Sequence, residues 1–341
     1  QAIISLIVDQ VKRLQQERGL CAMAYYGDMS VKSKEIVRNM VRDHAVRMLY
    51  VTPESIMNDE GLQAALLHHE ATGSGVRRIV VDEAHSMVAW GFDFRLEYGR
   101  LGELREMFPK AGVTAATGTA TEQTKIAIFR MLGMARVGDV LKKFISSCYR
   151  SNLHISLMIK ADVTEKKRLH SSGVMMKAAV ATQVLDFIIA QPEETMYTGI
   201  IYCTTIEDVM NVTALLKSEG ISAMPYHGRL SKDEKDGALK SWLDETVRVV
   251  VATMAFGMGI DKASVRWVLH FSLPRSMENL AQEMGRAGRD QNRSECCIMF
   301  SASDQEKIKN TLHKDPASQA RMGKCLQDVV SFCINEDEEC R

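Results

Sequence analysis

Two carboxylates stand side by side at Asp82 and Glu83, directly after the run Ile79-Val-Val81, and a histidine follows at His85. Three β-branched residues running into two acids suggest a buried strand that delivers charge at its carboxyl end, where open parallel sheets bind ligands. A carboxylate there can hold Mg2+ through water, since that ion takes oxygen ligands and keeps part of its hydration shell. The adjacent one can orient and deprotonate an attacking water. Asp82 is therefore read as the Mg2+ anchor and Glu83 as the base, with His85 placed to link the site to a neighbouring lobe. The competing reading is a plain helix cap, and taken alone the pair fits that at least as well.

A second constellation argues against the plain cap. In Gln282-Glu-Met-Gly-Arg-Ala-Gly-Arg-Asp290, Arg286 and Arg289 are three apart, so on a helix they would share a face. Two guanidiniums on one face suit a polyphosphate, because arginine bonds phosphate oxygens in bidentate fashion. One of them could stabilise charge on a transferred phosphoryl group. Gly285 and Gly288 would let the backbone approach such a ligand closely.

Positioning these groups requires a scaffold, and the chain is long enough for about two domains: 341 residues, 46% hydrophobic and 25% charged. Lys+Arg and Asp+Glu balance at 43 each, so any nucleic-acid surface must be a local patch rather than a global charge. The apolar runs are too short to span a bilayer, and the scattered cysteines of a core-rich chain read as reduced, intracellular and soluble. Strand patterns fall at 48–51, 79–81 and 113–116, then at 198–202, 223–226, 247–252, 265–271 and 296–300. Helical patterns lie between them at 31–41, 62–69, 96–107 and 122–132, then at 176–190, 206–219, 232–243 and 277–284. Such alternation implies parallel sheets covered by helices. The stretch 134–173 reads as irregular, with Glu165-Lys-Lys-Arg168 as a charge run, and the domain junction is placed near Arg150. Gly61 and Gly73-Ser-Gly75 read as loops. Cys296 and Cys297, adjacent on a strand, are expected to point to opposite faces.

The acidic box and the arginine pair, in this order and separation, resemble motifs II and VI of superfamily-two helicases. Ile3-Ile-Ser-Leu-Ile-Val-Asp-Gln10 is similar to motif Ia, Tyr50-Val-Thr-Pro-Glu54 to the backbone-touching element after it, and Thr117-Gly-Thr-Ala-Thr121 to motif III. Gly199-Ile-Ile-Tyr-Cys203 resembles motif IV, Tyr226-His-Gly-Arg-Leu230 the element that follows, and the stretch from Val250 to Lys262 motif V. Trp90-Gly-Phe-Asp-Phe-Arg95, shortly after the acidic box, resembles the aromatic-rich loop of the RecQ family of DNA helicases.

The resemblance implies an α/β fold of two tandem RecA-like lobes, residues 1–150 and 151–302, followed at 303–341 by the start of a zinc-binding subdomain. It implies ATP between the lobes and an ATP-dependent DNA helicase moving 3′ to 5′ on single-stranded and forked DNA, with roles in repair, recombination and replication. The implied compartment is the nucleus in a eukaryote and the cytoplasm otherwise; no membrane association is expected. Catalysis would fall to Asp82, Glu83, His85, Gln282, Arg286 and Arg289. Gly259 and Asp261 would join Asp82 and the two arginines around ATP and Mg2+. DNA would be touched by Ser5, Thr52, Thr117, Thr119, His227 and Thr253. Trp90, Phe92, Phe94 and Arg95 would stack on bases or hold a phosphate; their alternation also suits a packed strand.

Departures from the pattern matter too. No Gly-x-x-x-x-Gly-Lys-Ser/Thr phosphate loop occurs, and Gly323-Lys-Cys325 lacks its hydroxyl and leading glycine. The family carries that loop ahead of motif Ia, so this chain, which begins at Gln1, is expected to be a fragment that binds and hydrolyses ATP poorly. An inactive helicase-like DNA-binding module is the alternative, and an RNA helicase of the same superfamily is a third reading. Phe92 replaces a histidine, Gly118 an alanine, and Leu280-Ala281 a pair of tyrosines. Cys340 matches the first zinc cysteine of the family, but tetrahedral zinc needs four ligands, so zinc is expected only in the full-length protein.

Overall fold

The computed structural model describes residues 2–73, 75–90, 96–134, 140–147, 149–161, 168–169, 174–176, 178–191, 198–257, 262–301, 303–305, 308 and 316–334. The chain separates into two compact units, Gln1–Cys148 and Tyr149–Arg341.

In the first unit, strand β1 (Ala22–Tyr25) pairs in parallel with β2 (Met48–Val51), and β3 (Arg78–Val81) with β4 (Gly112–Ala115). Helices cover them: α1 (Ala2–Arg18), α2 (Val31–Arg42), α3 (Pro53–Asn58), α4 (Glu60–Thr72), α5 (Ser86–Trp90), α6 (Leu96–Arg100), α7 (Leu104–Met107) and α8 (Glu122–Met131). Local chemistry starts several of them. Ser30, Asp59 and Thr121 each accept a backbone N–H three residues on, closing α2, α4 and α8 at their N-termini. The core gathers Tyr25, Leu62, Met87, Ile128 and Leu132, all 2% exposed or less.

The second unit holds a six-stranded sheet, all parallel, ordered β5-β12-β11-β8-β10-β9. The strands are β5 (Leu153–Ile159), β8 (Thr198–Tyr202), β9 (Ala223–Tyr226), β10 (Val249–Ala252), β11 (Val265–His270) and β12 (Ser294–Phe300); β6 (Arg168–Leu169) and β7 (Val174–Met175) form a separate antiparallel pair. Period-two alternation divides the central strands between two cores. Ile200, Val250, Val268, Cys296 and Ile298 face one side, with α11 (Lys232–Leu243) and α12 (Met277–Met284). Ile201, Val251, Trp267, Leu269 and Cys297 face the other, with α9 (Ala178–Ile189) and α10 (Ile206–Ser218). Adjacent cysteines thus fill opposite layers. Helix α13 (Pro316–Ile334) adds Leu326, Val329, Val330 and Cys333 to the first of these cores.

Several sequence expectations change. The stretch 134–173 is not irregular throughout: β5 lies within it and pairs with β12 along its whole length. Leu153, Ile155 and Leu157 pack on the core while His154 and Ile159 are exposed, as suits an edge strand that buries only part of its surface. β1 escaped notice because Ala-Met-Ala-Tyr carries little β-branched signal. Gly61 is not a loop residue but opens α4; a Cβ there would meet the Arg38 guanidinium at 2.7 Å. The pattern at 96–107 breaks into α6, a 3-10 turn at Leu101–Glu103 and α7.

Candidate functional site

The acidic box occupies the turn that follows β3, at its carboxyl end. Asp82 and Glu83 are exposed, whereas Ala84 and Met87 are fully buried and anchor the turn. Glu83 has φ +47, a left-handed conformation that side chains other than glycine rarely adopt and that functional turns often hold. Its N–H donates to Asp82 Oδ1 at 2.9 Å. The turn is tied to β4 by Ala84 N–H to the Ala116 carbonyl and Ala116 N–H to the Val81 carbonyl, each 2.9 Å. His85 Nδ1 lies 2.9 Å from Thr117 Oγ1 and 3.4 Å from Glu83 Oε2. Thr117 Oγ1 donates to the Thr119 carbonyl and accepts the Thr119 N–H, both at 3.2 Å. Four residues singled out from sequence therefore form one connected group: Glu83, His85, Thr117 and Thr119. An exposed carboxylate with water around it is what a water-mediated Mg2+ contact needs, and Asp82 fits that role.

In the second unit, α12 ends at Met284 and residues 285–290 form turns, so the shared helical face expected for the arginines does not form. Arg286 is buried and Arg289 exposed. The glycines also serve a different end: they close the chain onto its own strands. Gly288 has φ +58, its N–H donates to the Val265 carbonyl at 2.8 Å, and a Cβ on it would meet Asn152 Nδ2 at 2.5 Å. Arg286 faces the Tyr202 hydroxyl. Its buried Nε has no partner among the described residues, so it is a donor that a phosphate oxygen would satisfy. Gln282 lies on α12, half-buried.

Other sequence-derived residues cluster at carboxyl ends of strands. Thr52 follows β2 and is buried, its hydroxyl donating to Ser55 Oγ at 3.0 Å. His227 follows β9, buried, with Nδ1 unpartnered among the described residues. Thr253 follows β10, and its N–H bonds the Tyr226 carbonyl at 3.1 Å. Ser5 lies on α1 and Trp90 ends α5, but their side chains, with Phe92, Phe94, Arg95, Gly259, Asp261 and Cys340, are outside the described residues.

Three features went unread in the sequence. Arg150 holds the arginine turn from beneath, Nη1 donating to the Gly285 carbonyl at 3.1 Å and Nη2 to that of Gly288. Asn152 Nδ2 donates to the Gly288 and Asn292 carbonyls at 2.8 and 2.9 Å. Arg266 pairs with Asp290. Behind them, fully buried His270 meets Glu283 Oε2 at 3.0 Å, and Tyr202 stacks on the His270 ring at 5.6 Å. Burial raises the Tyr202 phenol above its ordinary range, with Arg286 opposing. Partners more than 130 residues apart leave no local signal; only the polar residues 150 and 152 before a strand hint at them.

Residues 2–127 match the family model of DEAD/DEAH box helicases, and residues 179–291 match the helicase conserved C-terminal domain. The chain is 34% identical to the ATP-dependent DNA helicase RecQ of Haemophilus influenzae, over 99% of this chain and 50% of that protein. It is 32% identical to the RecQ helicase of Pasteurella multocida, over 99% of this chain and 49% of that one. It thus spans about half the length of the curated relatives it matches. Among solved structures, the DEAD-box helicase Mss116 bound to ssRNA and UDP-BeF superposes with a TM-score of 0.62 at 14% identity, over 98% of this chain and 70% of that one. Saccharomyces cerevisiae Dbp5 bound to RNA and ADP BeF3 superposes with a TM-score of 0.62 at 15% identity, over 96% of this chain and 78% of that one. These likenesses give both units the RecA-like α/β fold.

Proposed function

Because the chain belongs to the RecQ family of helicases, we propose that it carries the motor portion of an ATP-dependent DNA helicase. The observation that carries this reading is the acidic turn after β3: two exposed carboxylates at a strand end, one held in a left-handed conformation, coupled through His85 to Thr117. In this reading residues 1–150 and 151–302 are the two lobes and residues 303–341 begin a zinc-binding subdomain.

Glu83 orients the attacking water and accepts its proton. Asp82 would hold Mg2+ through water, and the ion supplies charge neutralisation on the phosphates when bound. Arg286 and Arg289 offer guanidiniums to the phosphoryl group being transferred, with Gly259 and Asp261 as further nucleotide contacts. His85 and Thr117 give a relay: a change at the acidic turn reaches the Thr117–Thr119 loop, one of the elements proposed to touch DNA with Ser5, Thr52, His227 and Thr253. Trp90, Phe92, Phe94 and Arg95 stack on bases of single-stranded DNA. Movement 3′ to 5′, opening of forked duplexes and a role in DNA repair and recombination complete the proposal, in the nucleus of a eukaryote or the cytoplasm of a bacterium.

The deciding experiment is ATP hydrolysis by the full-length protein, with and without single-stranded DNA and, separately, single-stranded RNA. Stimulation by DNA supports the reading. Stimulation by RNA alone would move the protein to another branch of the superfamily. Inactivity with DNA binding intact would favour the helicase-like binding module.

A further inference from the structure

Two histidines that have no part in the nucleotide or DNA reading meet in the first unit. His44 Nδ1 and His69 Nδ1 are 2.6 Å apart, with ring centroids at 4.5 Å. Two nitrogen lone pairs cannot face each other at that separation; something positive must lie between them. The protons can be assigned from the neighbours. Thr72 Oγ1 donates its only hydrogen to the His68 carbonyl at 2.7 Å. It must therefore accept from His44, whose Nε2 is 3.3 Å away. Neutral His44 accordingly carries its proton on Nε2 and a lone pair on Nδ1, and His69 donates from its Nδ1.

This is the arrangement of a metal-ligating imidazole, one nitrogen free to coordinate and the other oriented by a second polar group. The surroundings agree. His44 lies just beyond α2 with φ +57, a helix-terminating position that favours glycine or asparagine. His69 lies in the last turn of α4, so the negative ends of two helix dipoles converge on the pair, which favours a cation. Gly73 leaves room for the ring: a Cβ there would sit 2.3 Å from His44 Cε1. Among the described residues no group of three or more His, Cys, Asp or Glu gathers as a metal cage, so water would fill the remaining coordination positions.

We propose that His44 and His69 form a two-imidazole site for a divalent transition-metal cation of the zinc, copper or nickel class, which clips the C-terminal ends of α2 and α4 together. On binding, the His69 proton moves from Nδ1 to Nε2 through water, so that both Nδ1 lone pairs face the ion, and tetrahedral zinc with Zn–N bonds of about 2.0–2.1 Å asks the two nitrogens to separate to roughly 3.3 Å, a small rotation for rings this near the surface. The site is independent of the helicase reading.

Calorimetric titration of the chain with zinc chloride tests it, on the wild type and on His69→Gln, His44→Asn and Thr72→Val. Asparagine tolerates the left-handed backbone at 44, and unchanged circular dichroism verifies each fold. One class of binding sites should be present in the wild type and lost in both histidine variants. In Thr72→Val it should weaken by about 10–100-fold, because His44 loses its orienting partner. The proposal is overturned if all four isotherms coincide. It is also overturned if Thr72→Val binds as the wild type does, which would leave adventitious imidazole binding only.

Discussion

Replacing Gly288 with alanine should uncouple the arginine turn from the strands beneath it. The methyl would be added to a backbone with φ +58 and would stand 2.5 Å from Asn152 Nδ2, 2.7 Å from Ser294 Oγ and 2.8 Å from the Asn292 carbonyl. The backbone carbonyl cannot swing away as a side chain can. A left-handed alanine costs roughly 1–2 kcal/mol, and overpacking about 1–3 kcal/mol more. A loss of about 2–5 kcal/mol is a large share of the ~5–15 kcal/mol that holds a domain together. Urea unfolding monitored by tryptophan fluorescence is the assay, since fully buried Trp242 and Trp267 report on this unit. The midpoint should fall while the slope stays constant. A midpoint shift worth less than about 0.5 kcal/mol, the scale of an ordinary surface substitution, would refute the packing argument.

Arg150→Ala should remove the donors to the Gly285 and Gly288 carbonyls; leaving those acceptors short costs about 1–3 kcal/mol. In the full-length protein it should lower ATP turnover more than ATP affinity, and equal loss of both would point to general unfolding. Asp59→Asn disturbs a network in which Asp59 accepts from Arg38 at 2.7 Å, from the Tyr25 hydroxyl at 2.7 Å and from Leu62 N–H at 3.0 Å. Burial pushes the Asp59 carboxyl up, but these donors together hold it below its ordinary value. A depressed folded value stabilises above the unfolded value and is lost as pH falls through the folded one. The stability gap between wild type and Asp59→Asn should therefore be full near pH 6 and shrink below about pH 4; a gap that stays constant across acid titration sinks the assignment. The same network pushes the Tyr25 phenol up to about 12, burial first and the Asp59 bond second, so absorbance titration should find Tyr25 still protonated at pH 10.5, near the ordinary tyrosine midpoint of about 10. Glu83→Gln should abolish ATP hydrolysis in the full-length protein while ATP binding survives; turnover near wild type would remove Glu83 as the base.

What the sequence carried best was whatever rests on local pattern. Continuous apolar runs such as Val249-Val-Val-Ala252 and caps such as Ser231 with Glu234, a complete capping box, mark their elements within a few residues. The acidic box could be placed at a strand end because Ile79-Val-Val81 announces the strand. Edge strand β5 was missed because half of its surface faces outward and its apolar content is diluted by His154 and Ser156. The arginine turn was misjudged for a different reason: glycine spacing says that something approaches closely, not whether that something is a ligand or the protein itself. Arg150 and Asn152 supply the answer, and they lie more than 130 residues earlier in the chain.

That same separation sets an order on synthesis. β5 is the first strand of its sheet to leave the ribosome, yet among the described residues its sole neighbour in that sheet is β12, made last. Until Ser294–Phe300 emerges, Leu153–Ile159 has no ladder to join, and its unpaired amides and apolar side chains invite pairing with other chains. β8, β9, β10 and β11 can assemble first, because the ladders that join them, β8–β10, β9–β10 and β8–β11, are all complete before β12 is made. A nascent chain halted before residue 294 should therefore hold a four-stranded core with a sticky leading segment, a natural client for a chaperone, and release from that state should coincide with the arrival of β12.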